Sequence, residues 1–162
     1  MDKIQKVLNK LDELDISYEI IRHKAVYTIE EMDELKELEN YEIVKNLFLR
    51  DDKGKEHYLV VLMKDKRADL RNLRAQIESR HLSFASEKRL EKYLGLETGA
   101  VSPLGIINDS EAHVKVIFDK DLVGKENIGV HPNDNTATVI LSFDDLVKVI
   151  EDNGNKVMYV DL

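Results

Sequence analysis

The chain has 162 residues, 43% of them hydrophobic, and it carries 32 acidic against 24 basic residues, for a net charge of −8. This composition predicts one folded domain over residues 1–162, and the absence of cysteine excludes disulfides, thiolate nucleophiles and cysteine-ligated metals. The longest apolar run, Tyr58–Met63, is far below the roughly 18 residues of a membrane span. With no apolar signal-peptide core at the N-terminus either, we expect a cytoplasmic protein without a membrane partner.

The first forty residues predict two helices around an extended segment. Apolar residues recur at helical spacing over residues 4–14, and residues 18–22 follow as an extended stretch. Thr28 and Glu31 form a capping box that is expected to open a second helix, running to about Leu38.

A β-hairpin is predicted next, followed by two more helices. Residues 43–50 and 57–64 are β-rich runs joined by a polar turn that contains glycine. The second run lacks alternation, which indicates a strand covered on both faces. Residues 69–78 then read as a helix, and another is expected to be capped by Ser86 and ended by Gly95.

Beyond Gly95 the pattern changes to short strands and tight loops. Strands are expected at 113–118, 137–141 and 156–160, with residues 129–131 extended between the first two and a helix over 143–151. Because helices and strands mingle without a regular βαβ alternation, we predict an α+β (mixed α/β) fold with a mixed, curved sheet and helices packed around it.

Two segments are marked by the only two prolines. In Gly99–Gly105, Pro103 stands between two glycines, so the loop can hold successive N–H groups in one direction and bind an oxyanion or a water. In the second segment, Pro132 restricts His131 to an extended conformation, and this imidazole could hold substrate or transfer a proton. A structural turn and a structural hydrogen bond are the alternatives.

A third candidate is Lys45, which stands beside Asn46 inside an otherwise apolar run. A lysine there is costly unless it has a partner or lines a cleft, where it could pair with a phosphate or a polarised carbonyl. A lysine that reaches solvent at a sheet edge is the alternative.

Two other kinds of site are disfavoured. Ser102, His131 and Asp134 include the residue types of a hydrolase triad, but the sequence around Ser102 is not the G-x-S-x-G elbow. The five histidines show no metal-binding spacing, so we expect no metal and no cofactor.

Residues 64–92 hold nine Lys/Arg and five acids, although the chain as a whole is acidic. A phosphate backbone could contact this basic stripe, or the stripe could be a solvated helix face. The candidate phosphate contacts are Arg67, Arg71, Arg74, Lys88 and Arg89.

Together, three stretches resemble the YbaK/prolyl-tRNA-synthetase-associated editing domain family, and more closely its freestanding members. These stretches are Val44–Leu49, Gly99–Gly105, and His131-Pro132 with Asn135-Thr136, in the family's order and spacing. The resemblance implies a deacylase that hydrolyses mischarged Ala-tRNA(Pro) by water attack, with neither a metal nor a covalent intermediate. Mischarged tRNA(Pro) would be the partner, prolyl-tRNA synthetase a possible second one, and DNA none.

Roles for individual residues follow from the resemblance. The implied catalytic set is Lys45, Gly99, Ser102 and His131. The implied substrate-binding set is Asn46, Ala100, Val101, Pro103, Asn135 and Thr136. Two alternatives stay open: a deacylase of Cys-tRNA(Pro) or another small aminoacyl ester, and a non-catalytic regulator that binds an amino acid or a tRNA end.

Overall fold

A computed structural model describes residues 2–162 as five α-helices and eight β-strands. The helices are α1 (Lys3–Glu13), α2 (Ile29–Asp33), α3 (Leu70–Ile77), α4 (Glu87–Leu94) and α5 (Phe143–Asn153). The strands are β1 (Glu19–Arg22), β2 (Glu42–Asp51), β3 (His57–Met63), β4 (Leu82–Phe84), β5 (Lys115–Asp119), β6 (Ile128–Val130), β7 (Ala137–Leu141) and β8 (Val157–Val160). Three 3-10 helices occupy Lys36–Leu38, Pro103–Asn108 and Lys120–Leu122.

The strands form one mixed sheet in the order β1-β7-β6-β2-β3-β5-β8, and β4 also pairs with β2. Neighbouring strands are parallel at β2/β6, β3/β5 and β5/β8, and antiparallel at the other pairings. This confirms the predicted fold class of a mixed sheet accompanied by helices.

Strand β3 runs through the centre of the sheet and is covered on both faces, as its unbroken apolar run predicts. Because successive side chains point to opposite faces, Leu59 and Val61 join one core cluster while Val60 and Leu62 join another. Leu73 of α3 packs in the second cluster. The central hairpin is therefore fixed from both sides of the sheet.

Both ends of α4 follow the predicted cap and terminal glycine. The Ser86 hydroxyl accepts a hydrogen bond from the Arg89 amide, and Gly95 ends α4 in the left-handed conformation. The Asp69 side chain caps α3 in the same way.

The predicted helix from Thr28 to Leu38 is wrong in length. Thr28 does cap it, accepting from the Glu31 amide, but α2 ends at Asp33 and a separate 3-10 turn follows. Met32, Leu35 and Leu38 are all buried, and their spacing of three residues matches the 3-10 repeat better than the α-helical one. Burial of these three side chains explains the break.

Two other elements differ from the sequence predictions. Strand β4 was not predicted, and residues 103–108 form a 3-10 helix capped by Ser102 instead of a plain loop. Within residues 2–162, no helix is long and apolar enough to cross a membrane.

Candidate active site

The candidate site lies where one edge of β2 has no strand partner. Strand β6 pairs with β2 at Glu42 and Ile43, and β4 pairs with it from Leu49 to Asp51. The loop around Gly99 approaches the edge between them, and the Asn46 amide donates to the Val101 carbonyl at 3.2 Å. Along this unpaired part of β2, the loop takes the place of a neighbouring strand and forms one wall of a pocket.

A cavity of about 280 Å³ opens at this position. Its apolar lining includes Val26, Ile29, Met32, Ile43 and Val130, contributed by the α2 segment, β2 and β6. Its polar lining includes Lys45, Asn46, Thr98 and His131. A small apolar floor below a few polar groups suits a small organic ligand with one polar end.

Lys45 is held at the pocket by a backbone carbonyl. Its ammonium donates to the carbonyl oxygen of Lys66, in the turn that follows β3. Asn46, the next residue of β2, points to the opposite face of the sheet, and its buried Oδ1 has no hydrogen-bond partner within the described residues. Two successive residues of β2 thus contribute an ammonium donor and an unpaired amide acceptor on different faces of the strand.

His131 has a defined tautomer, because its Nδ1 lies 2.9 Å from the Ala137 carbonyl oxygen, which can only accept. Nδ1 therefore carries the proton and Nε2 keeps its lone pair. Burial lowers the pKa of His131 below its ordinary value, although the bond to Ala137 acts in the opposite direction. At neutral pH the site thus contains a neutral imidazole.

Two glycines of the pocket wall leave little room for a side chain, and at Gly99 the backbone conformation also favours glycine. Gly99 has φ +93°, and a Cβ there would lie 3.0 Å from the Tyr27 ring. At Gly129 a Cβ would lie 2.5 Å from Cδ1 of Ile43. Any side chain at either position would press on a residue of the pocket lining.

Comparison with known proteins identifies the family of this chain. Residues 23–149 match the family model of the aminoacyl-tRNA editing domain. The chain belongs to the aminoacyl-tRNA editing domain family. This confirms the family resemblance and the prediction of an aminoacyl-tRNA hydrolase.

Relatives of this editing domain support the assignment. The chain is 56% identical to the prolyl-tRNA editing protein ProX of Acetoanaerobium sticklandii, covering 100% of this chain and 99% of that protein. It is 33% identical to prolyl-tRNA synthetase associated domain-containing protein 1 of Mus musculus, covering 90% and 88%. The fold resembles a solved structure described as a proposed trans-editing enzyme for prolyl-tRNA synthetase, with a TM-score of 0.74, 20% identity and coverage of 100% and 98%.

The editing domain brings together part of the predicted site. Lys45, Asn46, Gly99, Val101 and His131 line the pocket. The remaining predicted residues lie outside the lining: Ala100, Ser102, Pro103, Asn135 and Thr136.

Ser102 supports the wall from behind. It is fully buried, its hydroxyl donates to the His131 carbonyl at 2.6 Å, and it accepts from the Leu104 amide at 3.1 Å. With both hydrogen-bonding directions used on the backbone, Ser102 holds the His131 segment against the Pro103 turn. This geometry gives it a positioning role and no access to a substrate carbonyl.

Asn135 and Thr136 act in a similar way on the opposite wall. The Asn135 amide donates to the Val26 carbonyl at 2.8 Å, and the Thr136 carbonyl accepts from the His23 amide at 2.9 Å. They tie down the segment that carries Tyr27, whose side chain is 66% exposed at the pocket.

Several residues of the pocket were not found from the sequence. They are Val26, Tyr27, Thr28, Ile29, Met32, Ile43, Thr98, Gly129 and Val130. Most are apolar residues whose spacing fits a core equally well, so nothing in their pattern distinguishes a pocket floor. Among residues 2–162, no cluster of three or more metal-ligating side chains is found.

The basic stripe divides into exposed and internal side chains. Arg67, Arg71, Arg74 and Lys88 are exposed. Arg89 instead points inward, and its guanidinium donates to the Gly54 carbonyl and lies 3.1 Å from Nε2 of His57. Arg89 is therefore committed to the protein interior, whereas the other four can contact a phosphate.

Proposed function

We propose that this protein is a trans-editing deacylase that hydrolyses mischarged Ala-tRNA(Pro) by direct attack of water on the aminoacyl ester. The observation that carries the proposal is the pocket itself, a small apolar floor beneath the Lys45 ammonium and the neutral His131 imidazole. The 56% identity to a protein named as a prolyl-tRNA editing protein supports tRNA(Pro) as the carrier.

An aminoacyl ester needs little chemical activation. We propose that Lys45 and Asn46 hold the terminal adenosine or its phosphate, and that Nε2 of His131 orients the attacking water. The Ala100 amide N–H already donates a hydrogen bond to the Glu97 carbonyl at 3.1 Å. The proposed donors to the oxyanion are therefore the amides of Gly99 and Val101.

Selection between alanine and proline follows from size. A synthetase pocket built for proline cannot strongly reject the smaller alanine, because the loss of apolar contacts costs only a few kcal/mol. A second site with a small floor can admit the alanyl group and exclude the prolyl ring. Met32, Ile43 and Val130 bound that floor here.

The decisive experiment is a deacylation panel with tRNA(Pro) charged with alanine, cysteine, serine or proline. We expect release of alanine and retention of proline. Preferred release of cysteine would indicate a deacylase of Cys-tRNA(Pro). Tight binding without release of any amino acid would indicate a non-catalytic regulator. Alanine release at only the uncatalysed rate would contradict the proposal.

Lys45→Ala tests the pocket directly, with Lys53→Ala in the exposed hairpin turn as the matched control. We expect Lys45→Ala to lower kcat/KM on the order of 100-fold, as loss of one oriented donor does elsewhere, without change in Tm. Lys53→Ala should behave as the parent protein. A large fall in Tm for Lys45→Ala would instead favour a structural role.

We also propose that the protein is one editing domain over residues 1–162, which acts in the cytoplasm beside prolyl-tRNA synthetase. In this proposal the exposed basic stripe contacts the tRNA backbone. Arg71→Gln with Arg74→Gln should weaken tRNA binding and reduce the slope of log K against log salt by about 1 to 2. Binding with an unchanged salt slope would identify the stripe as a solvated face.

A further inference from the structure

The turn that receives the Lys45 ammonium is itself held by a buried ion pair. After β3 the chain turns at residues 63–66, with the Lys66 amide donating to the Met63 carbonyl at 3.0 Å. The Lys66 carbonyl accepts from Lys45, while the Lys66 side chain extends to Asp119 at the end of β5. One residue thus joins the pocket lysine to a neighbouring parallel strand.

Asp119 fixes this turn at two points. Its side chain is 1% exposed, its Oδ1 accepts from Lys66 Nζ at 3.0 Å, and its Oδ2 accepts from the Met63 amide at 3.3 Å. Oδ1 also accepts from the Asp121 amide at 3.1 Å. With both oxygens used, Asp119 determines where the first and last residues of the turn lie.

We propose that the Lys66–Asp119 pair is a positioning device for Lys45 in the deacylation reaction, an inference that rests on the proposed function. The ammonium of Lys45 has three N–H groups, and the Lys66 carbonyl fixes the direction of one of them. The other two can then be directed into the pocket. Loss of the ion pair releases the turn, so the Lys66 carbonyl moves. The two remaining N–H groups of Lys45 are then no longer held in the direction of the pocket.

Displacement of a catalytic group by about 1 Å is enough to lower a rate by up to about 100-fold. Asp121, which also contacts Lys66, is 67% exposed and contributes less, because solvent screens its charge. The positioning effect is therefore assigned to Asp119 and Lys66.

Lys66→Met is the variant of choice because Lys66 is only partly buried, whereas substitution of Asp119 removes contacts to two backbone amides. Lys66→Arg retains the charge and provides the rescue. Lys120→Met is the matched control, since it removes another lysine–aspartate pair nearby, to the exposed Asp161.

Two measurements test the proposal. In deacylation of Ala-tRNA(Pro), Lys66→Met should lower kcat about 10- to 100-fold, Lys66→Arg should recover most of it, and Lys120→Met should match the parent. In a Lys45→Ala background, Lys66→Met should cause no further loss. An equal additional loss in that background would overturn the proposal, because it would show that Lys66 acts independently of Lys45.

The second measurement does not depend on activity. With 15N-labelled protein, the Lys45 ammonium should give a hydrogen-bonded NMR signal that broadens in Lys66→Met and persists in Lys120→Met. An unchanged signal in Lys66→Met overturns the positioning role even if the deacylation activity is present. An absence of deacylation in the parent, with the signal responding as described, would instead count against the proposed function alone.

Discussion

A buried histidine at the start of β3 makes the stability of this protein sensitive to acid. His57 is fully buried, its Nε2 lies 3.1 Å from Arg89 Nη1, and its Nδ1 lies 2.9 Å from Nε2 of His113. Because an arginine can only donate, Nε2 of His57 must accept and its Nδ1 must carry the proton. Burial, with His113 and Arg89 nearby, lowers the pKa of His57 to about 4.

The effect of pH on stability follows from this value. In the unfolded chain a histidine titrates near 6.5, so between pH 6.5 and 4 the unfolded state binds a proton that the folded state does not. The contribution of His57 is complete above pH 6.5 and is lost as the pH falls towards 4. Between pH 7.5 and 5 the loss amounts to about 2 kcal/mol of unfolding free energy.

Urea denaturation at a series of pH values measures this loss. His57→Gln keeps an acceptor towards Arg89 and a donor towards His113 but cannot titrate, so its stability should depend less on pH by the same amount. His81→Gln, at an exposed position, serves as the control and should follow the parent. Parallel loss of stability in the parent and in His57→Gln over this range would refute the reasoning.

Three further predictions concern the pocket wall. Gly129→Ala should lower the free energy of unfolding by about 1–3 kcal/mol in urea denaturation, because its Cβ would displace Ile43; an unchanged midpoint would contradict this. Ser102→Ala should cost about 1–3 kcal/mol by leaving buried backbone groups unpaired while deacylation stays measurable, and a folded but fully inactive variant would argue for a serine nucleophile. Since the pKa of His131 is lowered in the free protein, the acid limb of kcat/KM against pH should have its midpoint below pH 6.5, whereas a midpoint above it would argue against His131 as the titrating group.

The sequence predicts those parts of the fold where local chemistry and burial agree. The hairpin of β2 and β3 follows from two β-rich runs and a glycine turn, and α4 follows from a serine cap and a terminal glycine. Strand β4 has only three residues, two of them exposed, so no apolar pattern marks it. It exists because Leu49 to Asp51 of β2 offer a free edge, a tertiary cause that a local pattern cannot show.

The residues of the site likewise fall into those that the sequence could identify and those that depend on the tertiary structure. Lys45 and His131 could be selected because a lysine in an apolar strand and a histidine before a proline are unusual in themselves. Tyr27 and Met32 could not, because their place at the pocket depends on the breakdown of α2 into a short helix and a 3-10 turn. The position of Ser102 in the loop makes it a candidate for the catalytic set, but the sequence cannot show that its hydroxyl points to the His131 carbonyl.

The interrupted edge of β2 has a consequence for protein engineering. The two ends of that edge pair with β6 and β4. The unpaired stretch between them is covered by a loop, which the Asn46 side chain contacts through one hydrogen bond to the Val101 carbonyl. Loop and sheet are thus separable modules, and the loop can be varied in length or composition while the framework retains its hydrogen bonds. Libraries confined to residues 97, 98 and 101, with Gly99 and the buried Ala100 retained, should therefore yield folded proteins with altered acyl-group preference, so that substrate range can be evolved without rebuilding the core.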